Sequence, residues 1–173
     1  VAARSMIDSL IAFLRQTLAA TRAERTSLEA EFTLIRAYLS LMSVRMGERL
    51  TWSAELPDDL RSRTLPPMLL QPLIENAIQH GISPQIGPAS IRVGAELQDG
   101  ELVVTVVDTG RGIDPKAGTE RGDHPALSGH GYGLAHVRER LRAEYGPRGR
   151  LDISPNAPRG TRASVYIPGQ ATI

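Results

Sequence analysis

PPMLLQPLIENAIQHG, residues 66–81, is the stretch whose reading decides the fold. Pro66 and Pro67 open a helix at the end that tolerates a missing backbone N–H, while Pro72 allows a kink or a later start. Leu70, Ile74, Ala77 and Ile78 recur at helical spacing and predict a face turned to a core. On the other side Gln71, Glu75 and Gln79 fall in one polar column and Asn76 and His80 in the next, because residues four apart share a helix face. An amphipathic helix ordinarily gives that side to Lys and Glu pairs. Here it carries Glu, Asn and His, groups able to ligate a metal, move a proton and donate to a phosphate. Taken alone, the stretch also suits an ordinary surface helix.

Two glycine runs downstream give it a setting. DTGRGI, residues 108–113, follows a β-like run, and GHGYGL, residues 129–134, opens a second helix. In order, spacing and contents the three stretches together resemble the GHKL ATP-binding fold of histidine kinases, type II topoisomerases and MutL ATPases. A nucleotide site of that kind has three requirements. Adenine needs a buried acceptor for its exocyclic amine, and Asp108, followed by Gly110 and Gly112, offers a carboxylate with backbone that can approach the ring. Phosphates need a helix N-terminus preceded by glycines, and Gly129, Gly131 and Gly133 before the Leu134 helix supply unhindered N–H groups at the positive end of the dipole. For the metal and the proton, Asn76 offers a neutral carbonyl oxygen to magnesium, which takes few protein ligands, and Glu75 beside it can accept a proton. His80, one turn from Asn76, either donates to phosphate or ribose or packs at the helix end. Alone, DxGxG is a plain turn and a glycine run a hinge. His124, His130 and His136 show no spacing that suggests a metal cluster. No GxxxxGK[ST] occurs, which disfavours a P-loop ATPase.

Composition sets the outer limits. The 173 residues are 41% hydrophobic and 23% charged, enough for a real core in one domain with an appendage or in two small units. A formal net charge of +1 gives no electrostatic reason to bind nucleic acid. The absence of cysteine removes disulfides and thiolate metal sites and favours an intracellular domain. No apolar run approaches the roughly 20 residues of a membrane span, so the chain reads as a soluble piece making no membrane contact of its own. It starts in helical sequence without Met, as a piece of a longer cytoplasmic protein would, with any membrane anchor outside it.

The remaining chain falls around these motifs. Ile7, Ile11, Leu14 and Leu18 space a first helix, with Met6, Leu10 and Phe13 widening its stripe. Thr26-Ser27-Leu28-Glu29 has the capping-box form of a second start. Leu28, Phe32, Ile35, Leu39, Met42 and Met46 then keep a heptad rhythm that predicts burial against another helix, in a hairpin or a second subunit, until Gly47 ends it. Leu50, Trp52, Ala54 and Leu56 alternate as a strand, as do Ile91, Val93, Ala95 and Leu97. Asp99-Gly100 supplies a two-residue hairpin turn, and the nearly continuous apolar run 102–107 predicts a central strand covered on both faces. Residues 114–128 show no periodicity and have the length of a lid. A helix through Leu134, Val137, Leu141 and Tyr145, a short strand at Leu151 and Ile153, and a last one from Thr161 to Ile167 complete the pattern.

More narrowly, LPPMLLQPLIENAIQHG resembles the N box of LytS/YehU-type sensor histidine kinases, DTGRG and GHGYGLAHVRERL their glycine boxes, and RGTRASVYIP their closing strand. YLSLMSVRMGERL is similar to the segment that joins their phosphoacceptor helix to the ATPase domain. The resemblance implies an α+β, two-layer α/β sandwich at residues 47–173 preceded by a partial helical dimerisation region at 1–46. It implies ATP and magnesium as cofactors, Asn76 binding magnesium, Glu75 assisting the phosphoacceptor, and Asp108 binding adenine. Gly110, Gly112, Gly131 and Gly133 would shape the pocket and Thr161 would support the adenine side. The implied reaction carries the γ-phosphoryl group of ATP to a histidine of the parent kinase, a homodimer through its N-terminal helices, for relay to a response-regulator receiver domain. Gln79 stands where relatives often carry Lys, and His136 where many carry Asn. No NPHFLFN-like phosphoacceptor motif occurs in these residues. A GHKL serine kinase acting on an anti-sigma-like partner, or a degenerate nucleotide-binding or dimerisation module, are the alternatives.

Overall fold

A computed structural model describes residues 24–112 and 132–169, preceded by the helical residues 7, 8, 10, 11, 13–15, 17 and 18. The lid expectation at 114–128 lies outside the described residues, as do Gly129, Gly131, His124 and His130. In chain order come β1 (Thr26–Ser27), α1 (Leu28–Met46), β2 (Leu50–Glu55), β3 (Thr64–Leu65) and α2 (Gln71–Asn76), which widens into a π-helical turn over Ala77–Ile82. Then follow β4 (Ala89–Gln98), β5 (Glu101–Asp108), α3 (Tyr132–Tyr145), β6 (Arg150–Pro155) and β7 (Thr161–Ile167).

Five strands form one mixed sheet in the order β2-β4-β5-β7-β6, and β1 pairs with β3 apart from it. Only β2 with β4 runs parallel within this sheet; the hairpin partners and β5 with β7 are antiparallel. The β4–β5 hairpin turns on Asp99 and Gly100, with φ of 50° and 84°, the left-handed pair that matches strand twist. The apolar run of β5 therefore lies at the centre of the sheet. Leu102, Val104 and Val106 enter the main core, while Val103 and Val107 are buried on the opposite side. Elsewhere that opposite face turns polar, with Thr105 hydrogen-bonded to Ser164 at 3.3 Å and Arg150 lying over the Tyr166 ring. Helices on one face and polar groups on the other make the two-layer α+β sandwich.

The heptad seam of α1 has an owner within this chain. Leu28, Phe32, Ile35 and Leu39 are buried in the same core as α2, β4 and β5, with Met42 and Met46 packed against it. The expectation that this seam is covered by a hairpin partner or a second subunit is corrected, because the sheet and α2 of the same chain cover it. Trp52 Nε1 donates to Ser43 Oγ at 2.9 Å and the Arg36 guanidinium to Ala54 O at 2.9 Å, fixing α1 along β2. The helix starts one residue later than the capping-box reading: Ser27, not Thr26, is the cap, its Oγ accepting from Ala30 N at 3.1 Å. Thr26 is instead in the ladder with Leu65. Gly47, at φ 62°, ends the helix as expected.

A shared core has a measurable consequence. Phe32→Ala should cost about 3–5 kcal/mol, and urea unfolding should show one transition shifted as a whole. A helix standing apart from the sheet would instead leave the main transition in place.

Candidate nucleotide site

Asp108 ends β5 and is 3% exposed. Its Oδ1 accepts from Gly110 N at 2.7 Å and from Thr161 N at 3.3 Å. Burial pushes the carboxyl pKa up, and the two amides pull it back down. Both bonds fall on Oδ1, which holds the group in plane and leaves Oδ2 as the oxygen these amides do not engage. Such a carboxylate accepts an N–H from a flat ring amine.

The carboxylate is reached by backbone from three directions. A Cβ on Gly81 would stand 2.9 Å from Asp108 Oδ1, and one on Gly110 would stand 2.3 Å from the Gly81 carbonyl carbon. Gly160, at φ 113°, sits so close that its Cβ would meet Asp108 O at 1.9 Å. No side chain fits at these contacts. The turns are then locked by Arg111 N donating to Gly81 O at 2.9 Å, Asn156 Nδ2 to Asp108 O at 3.1 Å and Arg159 Nε to Gly110 O at 3.2 Å. Thr109 closes the other side, its N donating to Ser90 O and its Oγ1 accepting from Ser90 N. Gly112 takes φ 83° beside Gly160 O.

Gly81 ties this pocket to α2. The helix starts at Gln71 with Pro72 in its first turn, the later of the two starts that the prolines allow, and residues 67–70 form turns before it. From Asn76 onward the backbone widens, and the π-helical turn carries Gly81 onto the Asp108 carboxylate. Glu75 and Asn76 are half-buried at the change, and His80 is half-buried four residues on. Gln71 is 1% exposed and not on the wet side that the column pattern gave it. Its Nε2 donates to Glu75 Oε1 at 3.3 Å. Tyr38 of α1 lies in the field of Glu75; burial first, then that carboxylate, pushes its phenol up to about 12. Gly133 opens α3 beside Pro72, with Leu134 packed on the core, so the first turns of α2 and α3 are neighbours. Thus Asp108, Gly110, Thr161 and, through Gly160, Gly112 come together, and Glu75, Asn76 and His80 lie on the helix whose last turn sets Gly81 against Asp108. His136 is exposed. Among the described residues no three His, Cys, Asp or Glu side chains cluster as metal ligands.

Sequence reasoning did not single out Gly81, Gly160, Asn156 or Arg159 as site residues. Gly81 closes the N-box stretch and Gly160 precedes Thr161, so the two glycines were visible as motif ends. Asn156 and Arg159 act through backbone carbonyls and left no such signal.

The sequence model of the histidine kinase-, DNA gyrase B- and HSP90-like ATPases matches residues 64–171, and the chain belongs to that family. The histidine kinase sequence model matches residues 1–50. Sensor histidine kinase YpdA of Escherichia coli is 33% identical over 98% of this chain and 29% of its own length. Sensor histidine kinase YesM of Bacillus subtilis is 31% identical over 94% of the chain and 27% of its length, and sensor protein LytS of the same organism 30% over 96% and 28%. The chain thus spans under a third of these relatives. Among solved structures, the histidine kinase domain of a blue-light activated kinase from Erythrobacter litoralis superposes with a TM-score of 0.60 at 20% identity, covering 97% of this chain and 75% of that one. The catalytic domain of histidine kinase ThkA gives 0.63 at 19% identity, covering 84% and 98%. At those identities the likeness shows the fold.

Two substitutions read the glycine contacts directly. Gly110→Ala should lose nucleotide binding and destabilise the chain, because its methyl meets backbone; Gly94→Ala, with open space at its Cβ, should stabilise by about 0.4–1 kcal/mol. Equal melting temperatures for the two variants would contradict the close approach. A pH effect follows from Tyr38. A phenol raised from 10.0 to about 12 contributes stability that is complete below 10 and lost as pH rises through about 12. Circular dichroism should show that decline, and Tyr38→Phe should flatten it.

Proposed function

We propose that the chain is the ATP-binding catalytic part of a two-component sensor histidine kinase. One observation carries this reading: Gly81 joins the helix bearing Glu75 and Asn76 to the buried Asp108 carboxylate, so an adenine on Asp108 puts its phosphates toward that helix. The catalytic unit begins near residue 47, and α1 packs into its core from the helical region before it. Asp108 accepts from the adenine amine, with Thr161 and the glycines at 110 and 112 lining that side. Gly133, at the start of α3, offers its N–H to the phosphates, and Gly129 and Gly131 are assigned the same role from the sequence. His80 donates to phosphate or ribose.

The Asn76 side-chain oxygen fits magnesium: it is neutral and half-buried, a single protein ligand of the kind that suits an ion that keeps its waters and phosphate oxygens. When bound, magnesium neutralises charge on the phosphates. Glu75 orients the incoming imidazole by accepting its N–H. The other imidazole nitrogen forms a P–N bond as the bond from the γ phosphorus to the bridging oxygen breaks and ADP leaves. The phosphoryl group then passes to a receiver-domain aspartate. The exposed apolar residues Ile7, Ile11 and Leu14 supply the homodimer contact in the parent protein. No described helix is long and apolar enough to cross a membrane; the catalytic part works in the cytoplasm, where ATP is.

Labelling with γ-labelled ATP tests the assignment. The chain with magnesium should bind ATP yet acquire no acid-labile phosphoryl group, and a longer protein that adds an NPHFLFN-type helix should be labelled. In that protein Asn76→Ala should reduce labelling at least about a hundredfold. Labelling of the present chain on its own histidines, or undiminished labelling without Asn76, would overturn the reading.

A further inference from the structure

Glu31 lies on α1, far in sequence from the motifs and outside the chemistry assigned above. It is 2% exposed, yet it is a carboxylate, and no lysine or arginine forms an ion pair with it among the described residues. Its two oxygens go to backbone. Oε1 accepts from Met68 N at 2.7 Å and Oε2 from Leu70 N at 3.1 Å. Those amides belong to the turn that leads into α2, where the first backbone N–H groups of a helix have no partner of their own. Leu70, the residue before the helix, has no side-chain oxygen to supply one. Glu31 thus caps the helix from outside, across 37 and 39 residues of chain. Met68 is held at φ 58° to present its amide, a conformation that a non-glycine side chain rarely adopts. Burial pushes the Glu31 carboxyl pKa up, and the amides of Leu70 and Met68, with the charge of Arg140 on α3, pull it down. Two turns further along the same face of α1, Tyr38 stands in the field of Glu75.

We infer that Glu31 is a positioning residue that sets the register of α2, and with it the placement of Glu75 and Asn76, by clamping the amides of Met68 and Leu70. Its role is specific to the phosphate and metal end of the site. The adenine end is held separately, by Gly110 and Thr161 on Asp108. A carboxylate is required because both bonds are accepted; the amide of Gln would set an N–H against one of the two donors. The inference rests on the reading of Asn76 as the magnesium-side residue.

Calorimetric titration of the chain separates the two ends. In the native chain, magnesium should raise ATP affinity well above that of ADP measured with a chelator. If magnesium brings no gain in the native chain, the Asn76 reading fails, whatever Glu31 does. In Glu31→Gln the gain from magnesium should fall about tenfold while chelated ADP binds within about twofold of native. An equal fall in both affinities, or no change in either, would overturn the Glu31 inference. Hydrogen exchange on the native chain tests it without a variant. The amides of Met68 and Leu70 should be protected as strongly as those inside α2, and exchange at the rate of an open turn would contradict the clamp.

Discussion

Everything near the site depends on three backbones meeting around one buried carboxylate. Asp108 lies where β5, the loop after α2 and the β6–β7 turn converge, and Gly81, Gly110 and Gly160 make the meeting possible because none carries a Cβ. Burying a carboxylate without compensation is costly, so the amides of Gly110 and Thr161 are the condition for its presence. The arrangement in turn demands that β5 be central, since only a strand flanked on both sides can deliver a side chain so deep. It also accounts for the wide turn over Ala77–Ile82. A regular helix continued from Asn76 would place its last turn differently, and irregular widening of this kind is concentrated at functional sites.

The second dependence runs through α1. Its apolar stripe completes the core beneath α2, and Glu31 holds the entry of α2 from outside by accepting from the Met68 and Leu70 amides. The N-terminal helical residues touch the same helix, with the Phe13 and Tyr38 rings 5.6 Å apart. Those residues thus pack on α1, which shares its core with the element that carries Glu75 and Asn76.

Much of this was readable from local pattern. The β4–β5 hairpin follows from Asp-Gly between two alternating runs, and the central place of β5 from its unbroken apolar run. Asp108 and Thr161 were legible as motif members, and the contact between them was not, because it spans 53 residues. The seam of α1 was read as a surface for another helix because a heptad pattern does not say what covers it; the sheet does. Gln71 was placed on the wet side by counting, but the tertiary packing at the start of α2 buries its side chain, which donates to Glu75. Ser27 displaced Thr26 as the cap because Thr26 pairs with Leu65, a partner distant in sequence. In each case local chemistry chose the element and long-range contact chose its partner.

Titrating the chain with ATP and with inosine triphosphate tests the Asp108 pocket most directly. The two differ where the adenine amine becomes a carbonyl, which would set an acceptor against the buried carboxylate. Leaving such a group unpaired costs about 1–3 kcal/mol, so ATP should bind more tightly by a factor of roughly 5 to 150. Equal affinity for the two nucleotides would contradict the account.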